Sequence, residues 1–101
     1  MKHRVRLTDG KSFVIEDSKL LYSFTDEDCP ELGATEYRQA EDGSFWVRHL
    51  SAKYTDCLTE RQFYLALQGD ILALGRKDDL DVVPMCYRLD RRERFLDTIY
   101  Q

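Results

Sequence analysis

The chain lacks the long apolar run of roughly 20 residues that a membrane-spanning helix needs. Its first residues include Lys2, Arg4 and Arg6, but no apolar signal core follows them, so we expect no export signal and a cytoplasmic protein. The sequence also lacks a phosphate-binding glycine loop, an H-E-x-x-H zinc motif and a G-x-S-x-G nucleophile turn. These absences predict a non-enzymatic protein without a cofactor.

Cysteine is scarce, and its three copies are far apart in the sequence. Cys29, Cys57 and Cys86 form no C-x-x-C pair, and an odd number of cysteines cannot all pair within one chain. Reduced thiols in a reducing compartment are the simplest interpretation. A zinc site would need all three cysteines together with His3 or His49, and such scattered ligands are not typical of zinc sites, so we predict no metal.

Length and charge narrow the class of protein. A chain of 101 residues with 43% hydrophobic and 34% charged residues is long enough for one domain and short for two. No linker or low-complexity tract divides it. The formal net charge of -4 argues against a dedicated nucleic-acid-binding protein, because phosphate recognition usually begins with a basic surface.

A hairpin is predicted around Asp42 and Gly43. A two-residue loop there would divide the apolar residues between the two faces of the hairpin. A three-residue loop beginning at Glu41, with Gly43 in the left-handed region, instead pairs Ala40 with Ser44. We prefer this second register because it gathers apolar side chains on one face: Tyr37, Phe45 and Val47.

The same type of turn predicts a second hairpin near the N-terminus. A three-residue loop of Thr8, Asp9 and Gly10 turns Arg4 and Arg6 outward. The other face of this hairpin is then apolar and consists of Val5, Leu7, Phe13 and Ile15. Two independent hairpins that use the same common turn explain the likeness of the two stretches better than an internal repeat.

Further strands are predicted from alternation of apolar and polar residues. Residues 19–24 alternate in this way and predict a strand with one buried face. After Val47 the chain is expected to stay extended as far as Tyr54. Residues 82–87 predict another extended segment, which Pro84 would place at a sheet edge because proline has no N–H to donate.

Two helices are predicted. Thr59 and Gln62 have the spacing of a capping box, which begins a helix whose apolar stripe includes Phe63 and Leu67. We expect Gly69 to end this helix and residues 71–74 to form a short strand; the alternative is an interior glycine in a helix that runs to Gly75. A second helix is expected from residue 90 onward.

These elements predict an α+β fold in a single domain. We expect an antiparallel sheet of four to five strands, containing two β-hairpins, packed against two helices.

The outward face of the central hairpin is the first candidate site. Arg38, Trp46 and Arg48 are predicted to share this face, and arginine with tryptophan is a composition typical of binding hot spots. The alternative is that another element, such as the C-terminal helix, covers Trp46.

The second candidate is the longest non-periodic stretch, residues 25–33. Its acids lack the order of an EF-hand calcium loop, but they can present a negative surface to a basic partner, including one that normally holds nucleic acid. These acids are Asp26, Glu27, Asp28 and Glu31. The alternative is a solvated charge run that keeps the protein soluble.

The third candidate is a cluster of arginines near the C-terminus, which predicts a site for phosphate or an acidic peptide. Its members are Arg88, Arg91, Arg92 and Arg94. Ion pairs along an exposed helix face, such as Asp90 with Arg94, are the alternative explanation.

We therefore expect a small intracellular regulator or inhibitor that binds another protein and occludes its surface, as immunity, antitoxin-like and anti-defence proteins do. A homodimer is left open. One rival is a nucleic-acid-binding regulator that uses Trp46 with the terminal arginines, including Arg4 and Arg6. Another is a cysteine-dependent enzyme in which His49 activates Cys57 near the start of the helix.

Overall fold

The computed structural model describes residues 1–25, 27–28, 30–51 and 54–88. It confirms an α+β fold with antiparallel sheets. The strands and the helix are β1 (Arg4–Arg6), β2 (Ser12–Val14), β3 (Lys19–Thr25), β4 (Ala34–Gln39), β5 (Phe45–His49), β6 (Tyr54–Leu58) and α1 (Glu60–Ala73). Two compact units are present, residues 1–63 and 64–101, and their boundary falls inside α1. None of the described helices is long and apolar enough to cross a membrane.

The central hairpin has the predicted register. The Ala40 amide donates to the carbonyl of Ser44 over 2.8 Å, and Gly43 has φ of 89°. Tyr37 therefore faces Val47 across the β4–β5 ladder. The Asp42 carboxylate accepts the Ser44 amide over 2.9 Å, so a side chain also stabilises the turn.

The N-terminal hairpin of β1 and β2 uses the same turn, as predicted. Here the Leu7 amide donates to the Lys11 carbonyl over 2.7 Å, Gly10 has φ of 93°, and Asp9 accepts the Lys11 amide. Val5 faces Phe13, which is buried. The two hairpins thus form the same turn because both place Asp and Gly in the positions that a three-residue bulged loop requires.

A third hairpin, between β5 and β6, was not predicted, and the expectation of a chain extended from Val47 to Tyr54 is wrong. The chain turns after His49, and the Leu50 amide donates to the Ala34 carbonyl over 3.0 Å. β6 then returns along β5, so the sheet order is β3-β4-β5-β6. Residues 50–53 contain no glycine, proline, asparagine or aspartate, and Ser51 is the one residue there that is common in turns.

The predicted buried face of β3 is also wrong. The pairing of β3 with β4 shifts between Leu20 and Tyr22, so a bulge interrupts the alternation on which the prediction depended. Leu20 is 45% exposed, and no residue of β3 is fully buried.

Helix α1 begins with the predicted capping box. The Gln62 amide donates to Thr59 Oγ1 over 3.2 Å, and the Thr59 amide donates to Gln62 Oε1 over 3.1 Å. These reciprocal bonds satisfy two amides that have no partner within the helix.

The expectation that Gly69 ends the helix is wrong. Helix α1 continues to Ala73, and Ile71 is fully buried on the same stripe as Leu67. Gly75 follows the helix as its C-terminal cap, with φ of 72°. The Gly75 amide donates to the Leu72 carbonyl and the Arg76 amide donates to the Ile71 carbonyl, which together form a Schellman motif. An interior glycine costs only about 1 kcal/mol, whereas burying Ile71 contributes roughly 1.5–3 kcal/mol.

The strand predicted at residues 82–87 is absent, and two short 3-10 turns, Lys77–Val82 and Met85–Tyr87, occur instead. The Val83 amide donates to the Leu80 carbonyl over 3.0 Å, and the Tyr87 amide donates to the Pro84 carbonyl over 2.9 Å. Because these donors are used locally and Pro84 has none, the segment has few groups left for a ladder. The predicted C-terminal helix lies outside the described residues.

The residues 1–63 carry apolar contacts on both faces of the four-stranded sheet. On one face the ring of Phe63, in the first turn of α1, lies 5.2 Å from Tyr37 and 4.8 Å from Phe45 between centroids. On the opposite face Phe13 of the N-terminal hairpin covers Trp46. Both faces of the sheet therefore carry aromatic contacts within this unit.

Candidate functional site

Trp46 is buried and does not form part of the protein surface. Its side chain is 1% exposed, because the apolar face of the β1–β2 hairpin packs over it. The indole Nε1 donates to Ser44 Oγ over 2.8 Å, so the one polar atom of the ring also has a partner. The prediction that Trp46 is an exposed contact residue is wrong, and the ring cannot stack on bases either.

Arg38 and Arg48 do share a face of the sheet, as predicted, but both bind Glu36 between them. Arg38 Nε and Arg48 Nη1 lie 3.0 Å and 2.6 Å from Glu36 Oε1, and Arg38 Nη1 donates to Ser18 Oγ over 3.1 Å. The side chains of the three charged residues are only 14–21% exposed. The hydrogen bond from Arg38 and the neighbouring charges lower the pKa of Glu36. This network ties β4 to β5 and leaves one net positive charge.

Cys57 and His49 do not form the pair that a thiol enzyme would need. Cys57 faces Trp46 across the β5–β6 ladder, whereas His49 lies on the other face, with Nδ1 3.0 Å from Thr35 Oγ1. Burial raises the pKa of the Cys57 thiol, which is the opposite of activation. The prediction of a Cys57–His49 dyad is wrong.

A groove of about 340 Å³ opens beside Cys57, between the tips of the two hairpins. Its lining includes Lys11, Asp42 and Leu58. A serine hydroxyl and a backbone amide, both of Ser44, hold the pKa of Asp42 below its usual value, so this carboxylate is ionised at neutral pH. The lining of the groove thus combines apolar side chains with charges of both signs.

The acidic β3–β4 loop is held against the β5–β6 turn. Pro30–Leu32 form one 3-10 turn, and the Gly33 amide donates to the Pro30 carbonyl over 3.1 Å. Gly33 has φ of 68°, and a Cβ atom at this position would collide with the side chain of Ser51. Only glycine meets both requirements, so Gly33 fixes how the two loops meet.

This packing brings acidic and apolar side chains to one end of the sheet. We call the exposed group of Glu27, Asp28, Glu31 and Leu50 the loop-end surface. Leu50 is 41% exposed, and all three acids are exposed as well. Sequence reasoning found the acids but missed Leu50, because the residue was assigned to an extended strand and not to a turn. Asp26, the fourth acid of the predicted set, lies outside the described residues.

Of the four arginines in the predicted anion site, the structure describes Arg88. Arg88 is half-buried, and its Nε donates to the Val83 carbonyl over 2.9 Å. Arg91, Arg92 and Arg94 lie outside the described residues. In the part of the chain that the structure describes, no group of three or more histidines, cysteines or acids could hold a metal ion.

Comparison with known proteins found no matching family model, no matching curated protein and no matching solved structure.

Proposed function

We propose that this protein is a small acidic regulator that binds a basic surface of another protein and acts by occluding it. The observation that carries the proposal is the contact of the β3–β4 loop with the β5–β6 turn at Gly33 and Ser51. This contact holds the loop that carries three exposed acids and the turn that carries an exposed leucine at the same end of the sheet. The mode of action is that of immunity, antitoxin-like and anti-defence proteins.

The two kinds of side chain have different roles in such an interface. Carboxylates steer a basic partner during encounter and select against acidic ones, but exposed ion pairs contribute little net affinity. Leu50 supplies apolar area that a partner can bury, at about 25 cal/mol per Å². The loop-end surface therefore combines a charge signal for specificity with an apolar contact for affinity.

The predicted surface of Arg38, Trp46 and Arg48 has less support than the loop-end surface. Arg38 and Arg48 are held by Glu36, and Trp46 is buried, so the predicted aromatic and arginine surface is not available as a unit. A partner that binds the described residues must therefore contact exposed charged side chains on another part of the surface. The loop-end surface meets this condition.

The test compares two triple charge reversals in partner capture from the source cell. One variant carries Glu27→Lys, Asp28→Lys and Glu31→Lys. The control carries Glu41→Lys, Asp78→Lys and Asp81→Lys, which are also exposed and change the net charge equally. We expect the loop-end variant to lose a partner that wild type and control retain, and thermal melts confirm that both variants are folded.

The captured partner is then purified, and its affinity for each variant is measured at several salt concentrations. We expect affinity for wild type to fall as salt rises, and Leu50→Ser to weaken binding independently of salt. Equal affinity of the partner for both triple variants would overturn the proposal.

A further inference from the structure

Among the described residues, the outer edge of β6 is the strand edge of the larger sheet that carries no bulge and pairs with no further strand. The sheet order places β3 and β6 at its two edges. β3 carries a bulge, which is a common way for a protein to prevent edge pairing, whereas β6 keeps a regular register with β5 over all five residues. Among the described residues, no backbone group outside the ladder with β5 is bonded to β6.

The register shows which backbone groups face outward from this edge. Hydrogen bonds from Ala40 to Ser44 and from Leu50 to Ala34 mark bonded pairs of the β4–β5 ladder. Bonded and non-bonded pairs alternate along an antiparallel ladder, so residues 45, 47 and 49 direct their backbone groups toward β6. Their partners in β6 are residues 58, 56 and 54. The N–H and C=O groups of Thr55 and Cys57 therefore point away from β5.

We propose that β6 pairs with β6 of a second copy of this chain, antiparallel, about a two-fold axis through Thr55. Each Thr55 would then donate its amide to the Thr55 carbonyl of the other copy, and two four-stranded sheets would become one continuous sheet. The contact is isologous, so it closes at the dimer and does not extend into a filament. This inference is independent of the loop-end surface.

The side chains select Thr55 as the position of the axis. An axis through Asp56 would place two carboxylates opposite each other, and an axis through Cys57 would place Asp56 opposite Leu58. With the axis at Thr55, threonine faces threonine, a pair that is favourable across strands, and each Tyr54 faces Asp56 of the other copy, so no like charges meet. Tyr54 is 54% exposed, and the neighbouring Asp56 carboxylate raises the pKa of its hydroxyl. A hydroxyl and a carboxylate would likewise face each other across the axis.

Disulfide trapping tests the axis. Bonded antiparallel pairs have Cα atoms about 5.5 Å apart, which lies within the range that a disulfide spans. Thr55→Cys should therefore form a covalent dimer under mild oxidation, linked between the two substituted positions as identified by peptide mass spectrometry. Ser23→Cys, on the bulged edge strand β3, is the matched control, and wild type reports any linkage through the native cysteines. Failure of Thr55→Cys to dimerise faster than Ser23→Cys would overturn the proposal.

Sedimentation over a wide concentration range gives a second readout without cysteine chemistry. We expect wild type to dimerise, Thr55→Ser to behave like wild type, and Thr55→Lys to remain monomeric because two ammonium groups would meet at the axis. Circular dichroism melts confirm that the lysine variant is folded. A wild type that is monomeric at every concentration, or a dimer that Thr55→Lys leaves intact, contradicts pairing at this axis.

Discussion

The ring of Phe13 lies on the indole of Trp46, with their centroids 4.5 Å apart and their planes inclined by 31°. Phe13 belongs to the small N-terminal hairpin, and Trp46 belongs to the central strand pair of the larger sheet. Their contact closes one face of the sheet over an aromatic core that also includes Ala40. The hairpin of β1 and β2 is thus part of the core and not an appendage.

The first prediction concerns this contact. Phe13→Ala should lower the free energy of unfolding by about 3–5 kcal/mol, the usual cost of removing a buried aromatic ring. Because the chain has one tryptophan, its emission should also shift to longer wavelength as water reaches the indole. Urea denaturation and fluorescence measure the two effects. Leu20→Ala, at a position that is 45% exposed, is the control and should change stability by less than about 1 kcal/mol.

The second prediction compares alanine substitutions at two glycines. Gly33→Ala should destabilise the protein, since its φ is positive and the added methyl group meets Ser51. Gly69→Ala should stabilise it by about 0.5–1 kcal/mol, because Gly69 lies inside α1 with free space around it. Thermal melts compare the two. Adding Ser51→Gly should recover part of the loss at Gly33 but not all of it, because the backbone strain remains; a complete absence of recovery would contradict the collision.

The third prediction concerns acid stability through Glu36. Its pKa is lowered in the folded protein, so its contribution is present above the unfolded value of about 4.3 and is lost as the pH falls toward the folded value. The difference in unfolding free energy between wild type and Glu36→Gln should therefore be largest near neutral pH and shrink below about pH 4. Urea titrations across this range measure it. A difference that does not change with pH would count against the ion network, and Glu31→Gln is the exposed control.

The fourth prediction concerns the start of α1. Thr59→Ala should cost about 1 kcal/mol, because the Gln62 amide loses the hydroxyl that accepts its hydrogen bond. Gln62→Ala removes the reciprocal bond. A double-mutant cycle by urea denaturation should show that the two losses are not additive, since each residue fixes the geometry of the other. Strict additivity would mean that the two bonds form independently.

The fifth prediction concerns thiol reactivity. Cys57 is half-buried with a raised pKa, whereas Cys86 is exposed. Iodoacetamide near neutral pH should therefore label Cys86 faster than Cys57, as followed by peptide mass spectrometry. Phe13→Ala should accelerate labelling of Cys57, because Cys57 packs against the cluster that contains Phe13. Fast labelling of Cys57 in wild type would instead indicate that its thiol is reactive.

The predictions that succeeded depend on chemistry confined to a few neighbouring residues. Gly10 and Gly43 each allow the positive φ of a bulged loop, and the hydrophobic parity of the flanking strands then selects the register. Thr59 and Gln62 likewise bond to each other within one turn. Such features follow from the local sequence because no distant residue takes part in them.

The predictions that failed depended on which distant segment covers a surface. Trp46 was placed on the outward face correctly, but its exposure depends on the N-terminal hairpin, and no local pattern predicts that contact. Gly69 looked like a helix end because the benefit of burying Ile71 cannot be read from the glycine itself. At the loop-end surface the acids were visible in the sequence, but Leu50 lies in a turn whose one common turn residue, Ser51, is a weak signal.

The strands of the larger sheet are arranged in the order in which they occur along the chain. β4, β5 and β6 each pair with the strand that precedes them, so the ladder can grow by one hairpin at a time while the ends of each new loop are already close. Folding rates rise when contacting residues are near in sequence, because closing a short loop loses less chain entropy. We therefore expect rapid assembly of this meander, with docking of Phe13 onto Trp46 as the later step.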